Sequence, residues 1–156
     1  MPKKAAGTTA TSTPTQPVGH TRHGELTLDQ LAGIQPGLGR LMVEVGERYW
    51  ILYYAAQGGN WELAAHQLHQ IQSLFKAGAI TRPKMAKYLE AYDQGYLAAM
   101  AAAIEARDLM AFEKAYRRGI DGANALHQAT GHGEIQWQLP PTPPLHLALG
   151  PRKPKG

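Results

Sequence analysis

Four segments of the chain repeat apolar residues at the period of an α-helix, and this pattern constrains the fold more than any other feature. The segments cover about residues 37–57, 61–77, 81–105 and 108–129. Each segment has one apolar stripe, and short loops join the segments. Only brief runs that alternate apolar and polar residues resemble strands. Because amphipathic helices with short connections pack most simply side by side, the sequence predicts an all-α protein built as an antiparallel four-helix bundle.

Residues that favour helix ends support these boundaries. Asn60 and Asp108 precede the second and fourth segments, where their side chains can accept hydrogen bonds from the first turn. Thr81 is predicted to cap the third segment, with Pro83 in its first turn. Gly95 lies in the middle of that long segment and is expected to bend it.

The regions outside the helices are predicted to be disordered or extended. Residues 1–25 are rich in Thr, Pro, Gly and Ala, which predicts a disordered arm. Residues 26–150 hold the bundle with its C-terminal strap, and residues 151–156 form a basic tail. The strap begins with IQWQL, in which apolar and polar residues alternate, and continues into the proline-rich PPTPP. We therefore expect it to be extended. Its apolar residues are expected to lie on the bundle: Ile135, Trp137 and Leu139.

Composition excludes several classes of function. The chain has no cysteine, which rules out disulfides, thiolate metal sites and thioether-linked haem. The net charge of +4 resides mostly in the tails, so no basic face for nucleic acid is predicted. The N-terminal residues have no apolar run, so we expect no membrane anchor and a cytoplasmic protein, or a periplasmic one if a leader has been removed.

The second helix has the only side-chain grouping that suggests a bare metal ion. Glu62, His66 and His69 share one face of this helix and are suitable ligands for a divalent metal. That face points away from the apolar stripe, which favours a solvated polar surface instead. No nucleophile–base arrangement or phosphate-binding loop is present, so the sequence predicts no enzyme.

The first helix has apolar residues on the side opposite its core stripe, namely Trp50, Ile51 and Tyr54. Apolar residues around the whole circumference of a helix indicate burial on both sides. A homodimer interface is the preferred interpretation, because aromatic residues are enriched in interfaces. Coverage by the N-terminal arm or by the strap is the alternative.

His127 lies at the edge of the inner face of the fourth helix, next to Ala123 and Leu126. A turn of about 100° per residue places all three within ~60° of the centre of that face. A histidine in this position is either a hydrogen-bonded structural residue or a ligand that faces the inside of the bundle.

The surrounding segment, GANALHQATGHGEIQWQLPPTPP, resembles the C-terminal part of small four-helix proteins of the cytochrome c-prime type. Haem-bearing members of that family read roughly Cys-Asn-x-Cys-His-Gln-Ala there. When the segments are aligned on His127, Ala123 and Leu126 stand at the cysteine positions. Similar stretches occur over about residues 35–147. Three further residues match the motif: Asn124, Gln128 and Ala129.

The resemblance implies that His127 is an axial haem ligand, while Ala123 and Leu126 cannot attach haem covalently. A non-covalent haem b would then serve electron transfer or small-gas binding. Met42, on the facing helix, is the chemically acceptable sixth ligand, because His and Met together are a known haem ligand pair.

The alternative is a haem-free bundle that binds a small molecule in its core, or a protein partner. In that interpretation Tyr49, Trp50 and Tyr53 of the first helix occupy the haem space. Because a buried tyrosine needs a polar partner, either hydroxyl is expected to bind His127.

Overall fold

The structure, a computed structural model, describes residues 18–151, and this part of the chain is mostly helical. The all-α class predicted from the four periodic segments is therefore confirmed. Most of the predicted N-terminal arm and nearly all of the basic tail lie outside the described residues. The chain divides into two units, residues 1–35 and residues 36–156.

The first unit contains a β-hairpin that the sequence analysis did not predict. Strand β1 (Val18–Thr21) pairs antiparallel with β2 (Gly24–Thr27), and helix α1 (Leu28–Gly33) follows. The hydroxyl of Thr21 donates to the Gly24 carbonyl, which closes the two-residue turn. Gly24 has a φ of 135°, a backbone conformation that favours glycine. The prediction of disorder is therefore wrong for residues 18–25.

The second unit begins with a helical hairpin and continues with an interrupted helix and a long final helix. Residues 130–151 follow without any helix or strand. The elements are α2 (Leu38–Gln57), α3 (Trp61–Thr81), a 3-10 turn (Pro83–Met85), α4 (Ala86–Tyr92), a π-helical turn (Asp93–Leu97), α5 (Ala98–Glu105) and α6 (Leu109–Ala129).

Two of the three predicted helix caps are confirmed. The side chains of Asn60 and Asp108 accept hydrogen bonds from the backbone N–H groups of Leu63 and Ala111, at 3.1 and 3.0 Å. The prediction for Thr81 is wrong, because α3 extends to this residue and its hydroxyl donates back to the carbonyl of Ala77.

Gly95 lies in the π-helical turn between α4 and α5. The helix therefore widens at this glycine while the chain continues in the same element. A single π-helical turn inserted in an α-helix often occurs near a functional site. Here the turn follows Tyr92, whose side chain reaches the core between α2 and α6.

One apolar core joins these helices, and its largest fully buried side chains come from α2, α3, α5, α6 and the π-helical turn. They are Tyr49, Leu52, Ile71, Leu97, Met100, Phe112 and Tyr116. Within residues 18–151, no helix is both long and apolar enough to cross a lipid bilayer.

The C-terminal segment lies on this core, as expected from its apolar residues. Trp137 and Leu139 are partly buried against it. Ile135 is 43% exposed and has the weakest contact of the three. The strap is also attached to α2, because the Trp50 indole N–H donates to the Thr142 carbonyl and the Tyr54 hydroxyl donates to the Pro140 carbonyl.

Candidate functional site

A cavity of about 580 Å³ lies among α2, α3, α4, the end of α6 and the strap. Its size falls in the range of small-molecule sites, roughly 300–1,000 Å³. The walls contributed by α2, α3 and α4 are almost entirely apolar or aromatic, and among residues 18–151 no Asp, Glu, Lys or Arg side chain lines the cavity. These walls include Leu38, Met42, Ile71, Phe75, Tyr88 and Leu89.

Five of the six residues predicted to contact a cofactor line this cavity. Met42 and Tyr49 contribute from α2, and Ala123, Leu126 and His127 contribute from α6. The sequence analysis therefore located the residues that the fold brings together, whereas occupancy of the cavity stays a prediction.

Tyr53 is the exception among the six predicted residues. Its side chain is buried, but its ring lies against Tyr116, with the ring centroids 4.8 Å apart, and it is absent from the cavity wall. The prediction that Tyr53 contacts the cofactor is wrong, because this residue lies one helical turn beyond Tyr49 in α2, past the edge of the cavity.

The His127 ring has a defined orientation. Its Nδ1 lies 3.1 Å from the backbone carbonyl oxygen of Ile135 in the strap. A carbonyl oxygen only accepts hydrogen bonds, so Nδ1 carries the proton in this contact. In the neutral ring, Nε2 then has a free lone pair, and it makes no hydrogen bond to any residue in the described range 18–151. Metal-binding histidines commonly have this arrangement, with the second nitrogen fixed by a carbonyl or carboxylate.

The expected hydrogen bond between His127 and a tyrosine is not formed. The Tyr49 hydroxyl lies 3.4 Å from the Tyr92 hydroxyl and donates to the Met100 sulfur at 3.6 Å. Tyr92 in turn donates to the carbonyl of Gly119 at 2.8 Å. The buried hydroxyl of Tyr49 therefore finds its partners on the far side of the core, because α4 and α5 also face it.

Burial keeps this tyrosine cluster uncharged. It raises the pKa of Tyr92 to about 12 and raises the pKa values of Tyr49 and Tyr116 further, since a phenolate would lose its hydration. The Tyr116 hydroxyl donates to the Tyr49 carbonyl at 2.9 Å, which satisfies it within the core. Tyr49 and Tyr92 of this cluster line the cavity, so this part of its wall is neutral and hydrogen-bonded.

Two other polar side chains at this end of the cavity already have partners. The Thr130 hydroxyl donates to the Leu126 carbonyl at 2.8 Å, so it is satisfied by its own helix. His132 is exposed and lies 3.4 Å from Glu134. A molecule inside the cavity would therefore meet a mostly apolar surface with few polar groups, the His127 ring among them.

Asn124 is the residue near the site that the sequence analysis did not assign a role. Its side-chain amide donates to the Trp137 carbonyl at 2.9 Å, and its amide oxygen accepts from the Trp137 N–H at 2.7 Å. The Trp137 ring then meets Tyr49 edge-on, with the centroids 5.2 Å apart. The only sequence signal was the match of Asn124 to the family motif.

The predicted bare-metal site on α3 is not formed. Glu62, His66 and His69 are all exposed, and in residues 18–151 no three His, Asp or Glu side chains are grouped as metal ligands. The three side chains lie on a solvated face of one helix.

The residues of the predicted dimer interface are used within the chain. Ile51 is buried, and Trp50 and Tyr54 are half-buried with their polar atoms bonded to the strap. The structure thus shows the alternative, in which the strap covers this face of α2. Formation of a homodimer stays a prediction.

Comparisons with known proteins found no match: no family model fits the chain, and neither a curated protein nor a solved structure resembles it significantly.

Proposed function

We propose that this protein is a haem-binding four-helix bundle, in which haem b lies non-covalently in the cavity with His127 as an axial ligand. The observation that carries the proposal is the contact between His127 Nδ1 and the Ile135 carbonyl, because it leaves Nε2 as the available nitrogen in a largely apolar cavity. Electron transfer or small-gas binding is the corresponding activity.

The residues present are suited to this group. A macrocycle with large apolar faces gains free energy from burial against aliphatic and aromatic walls, which the α2, α3 and α4 residues provide. Ala123 and Leu126 add apolar surface beside His127. When bound, haem would supply iron that exchanges electrons or binds small gases, and the chain would hold it, orient it and limit access of water.

Met42 lines the same cavity from α2, whereas His127 lines it from α6. A thioether and an imidazole on facing helices are a suitable axial pair for haem iron. Met42 is therefore our proposed sixth ligand. Tyr49 and the neutral tyrosine cluster behind it would form the inner wall of the site.

The bundle arrangement is part of the proposal. The hairpin of α2 and α3 packs along one side, and α4 and α5 act as a single helix interrupted by the π-helical turn. With α6 this makes four helical rods, and α6 contacts both α2 and α5. In a bundle, ligand sites form between facing helices, as this cavity does.

A second candidate is a haem-free protein that binds a small apolar molecule in the same cavity. The observation that favours it is the scarcity of polar groups, since an imidazole nitrogen among mostly apolar walls also suits a ligand with a single hydroxyl or amine donor. Such a ligand would donate its hydrogen bond to Nε2 of His127.

Titration of the purified protein with haem tests the first proposal. We expect a shifted Soret band that saturates at one equivalent, and at least tenfold weaker binding by His127→Ala. The matched control is His69→Ala, because His69 is exposed on α3 and does not line the cavity. No Soret shift with the wild-type protein would overturn haem binding, and retained binding of an apolar fluorescent probe would then favour the second candidate.

A further inference from the structure

Several hydrogen bonds join the C-terminal end of α6 to the strap, and the His127 ring makes one of them. His127 bonds the carbonyl of Ile135, and Asn124 bonds the backbone of Trp137. Asn124 and His127 are three residues apart in a helix, so their side chains are neighbours on its surface. Their two partners are also neighbours, being two residues apart in the strap.

Asn124 binds the strap through both polar groups of one residue. It donates to the Trp137 carbonyl and accepts from the Trp137 N–H, as a neighbouring strand would. The amide of asparagine carries its donor and its acceptor on two separate atoms, whereas a threonine hydroxyl of similar size has one oxygen for both roles. An aspartate could keep the bond from the Trp137 N–H, whereas its ionised carboxylate could not donate to the carbonyl.

Hydrogen bonds on both sides of Ile135 in the chain fix the position of the carbonyl that contacts His127. On the preceding side, the Ile135 N–H donates to the His132 carbonyl at 3.0 Å, and the His132 N–H donates to the His127 carbonyl at 2.8 Å. On the following side, the Asn124 pair fixes Trp137. Without Asn124, the strap beyond Ile135 would lose its hydrogen bonds to α6.

We propose that Asn124 is a positioning residue for His127. By fixing Trp137 it fixes the nearby Ile135 carbonyl, which keeps the proton on Nδ1 and leaves Nε2 available to a ligand in the cavity. The link to haem affinity rests on the proposed function, whereas the protonation pattern of the ring is a property of the ligand-free protein.

The first experiment therefore needs no ligand. Histidine-labelled protein is compared with Asn124→Ala by ¹⁵N NMR near pH 8, and the His127 signals are assigned by their loss in His127→Gln. We expect a ring protonated at Nδ1 in the wild type and a mixture of the two neutral forms in Asn124→Ala. Asn60→Ala is the matched control, because it removes the cap of α3 and leaves the strap contacts intact.

Asn124→Asp separates the two hydrogen bonds, and it provides a second test if Asn124→Ala fails to fold. We expect its ring signals to lie between those of the wild type and Asn124→Ala. Wild-type ring signals in a folded Asn124→Ala or Asn124→Asp protein would overturn the proposal, because the carbonyl would then be fixed without this amide.

The second experiment measures haem affinity in the same variants. Loss of a residue that orients a metal-binding histidine typically weakens the metal site about 10–100-fold, and we expect this range for Asn124→Ala with unchanged affinity for Asn60→Ala. Unchanged affinity in Asn124→Ala would reject the effect on the ligand. If the wild type binds no haem but the ring signals change as expected, the proposed function fails and the positioning role of Asn124 is supported.

Discussion

Tyr92 of α4 donates a 2.8 Å hydrogen bond to the backbone carbonyl of Gly119 in the middle of α6. This contact requires the close approach that only glycine permits. A β-carbon added at Gly119 would overlap the Tyr49 hydroxyl and the methyl group of Met100, and it would lie 3.2 Å from the Tyr92 hydroxyl. Gly119 therefore sets the distance between α6 and the tyrosine cluster.

Gly119→Ala should destabilise the protein. Alanine improves helix propensity by up to about 1 kcal/mol, but overpacking a filled core costs about 1–3 kcal/mol, and the Tyr92 hydrogen bond would also be strained. We expect a net loss of roughly 1–2 kcal/mol in the free energy of unfolding, measured by urea denaturation.

Gly39→Ala is the matched control for this substitution, because nothing lies within 4 Å of a β-carbon added at Gly39 in α2. Its free energy of unfolding should stay the same or rise slightly. Equal stability of the two variants would show that α6 is free to move away from the tyrosines.

The tyrosine cluster should make the protein sensitive to alkali. The folded-state pKa of Tyr92 is about 12, above its ordinary value, so the folded protein retains a proton that the unfolded chain releases above about pH 10. Stability is thus fully present below about pH 10 and is lost as the pH rises towards 12, with Tyr49 and Tyr116 contributing in the same direction.

Urea denaturation at a series of alkaline pH values would measure this loss. Each buried tyrosine can contribute up to about 1.4 kcal/mol per pH unit over the window. Tyr92→Phe should lower the free energy of unfolding at neutral pH, because it removes the hydrogen bond to Gly119. It should also make the loss of unfolding free energy per pH unit smaller at alkaline pH, by the contribution of one tyrosine. A slope that is the same in the variant would mean that Tyr92 ionises normally in the folded state.

The helices were predictable because local signals specify them. The apolar stripe of α2 and the caps Asn60 and Asp108 each act within a few residues, and the structure has α2, α3 and α6 close to the predicted bounds. Thr81 misled the prediction because a threonine next to a proline also fits the end of the preceding helix, where it bonds Ala77.

The polar contacts of the site were less predictable, because they depend on tertiary geometry. The helical period places Tyr49 and His127 on inner faces, but it does not show that α4 and α5 provide the hydroxyl partners of Tyr49. It also does not show that a turn returns the Ile135 carbonyl to His127. Neither of these pairings follows from a local sequence pattern.

Filling the cavity should abolish binding without unfolding the protein. Ala123 is partly buried and lines the cavity from α6, so Ala123→Phe would place a ring in the space next to His127. We expect a loss of at least tenfold in affinity for haem or for an apolar fluorescent probe, with little change in helix content by circular dichroism.

Ala125→Phe is the control for this variant, because Ala125 is exposed on the same helix. It should bind as the wild type does. If Ala123→Phe binds equally well, the ligand occupies a different surface of the protein.

Cysteines at the two positions that align with the family's cysteines would test whether haem lies beside α6 in the way that the resemblance implies. Ala123 and Leu126 both line the cavity next to His127, so Ala123→Cys with Leu126→Cys would place two thiols against a bound haem. Each thiol S–H can add across a vinyl group of the haem, which forms a thioether without any oxidant. We expect haem absorbance that stays with the protein after denaturation and gel electrophoresis, once the reduced variant has been incubated with reduced haem.

The control places both cysteines at outward positions of α6. Ala125→Cys with Gln128→Cys keeps two cysteines, but both residues are exposed and neither lines the cavity. This control should retain much less haem after denaturation, since neither thiol can reach a vinyl group of a haem in the cavity. Equal retention by both variants would indicate that haem reacts at the surface, and loss of haem from both, despite reversible binding, would place the macrocycle away from α6.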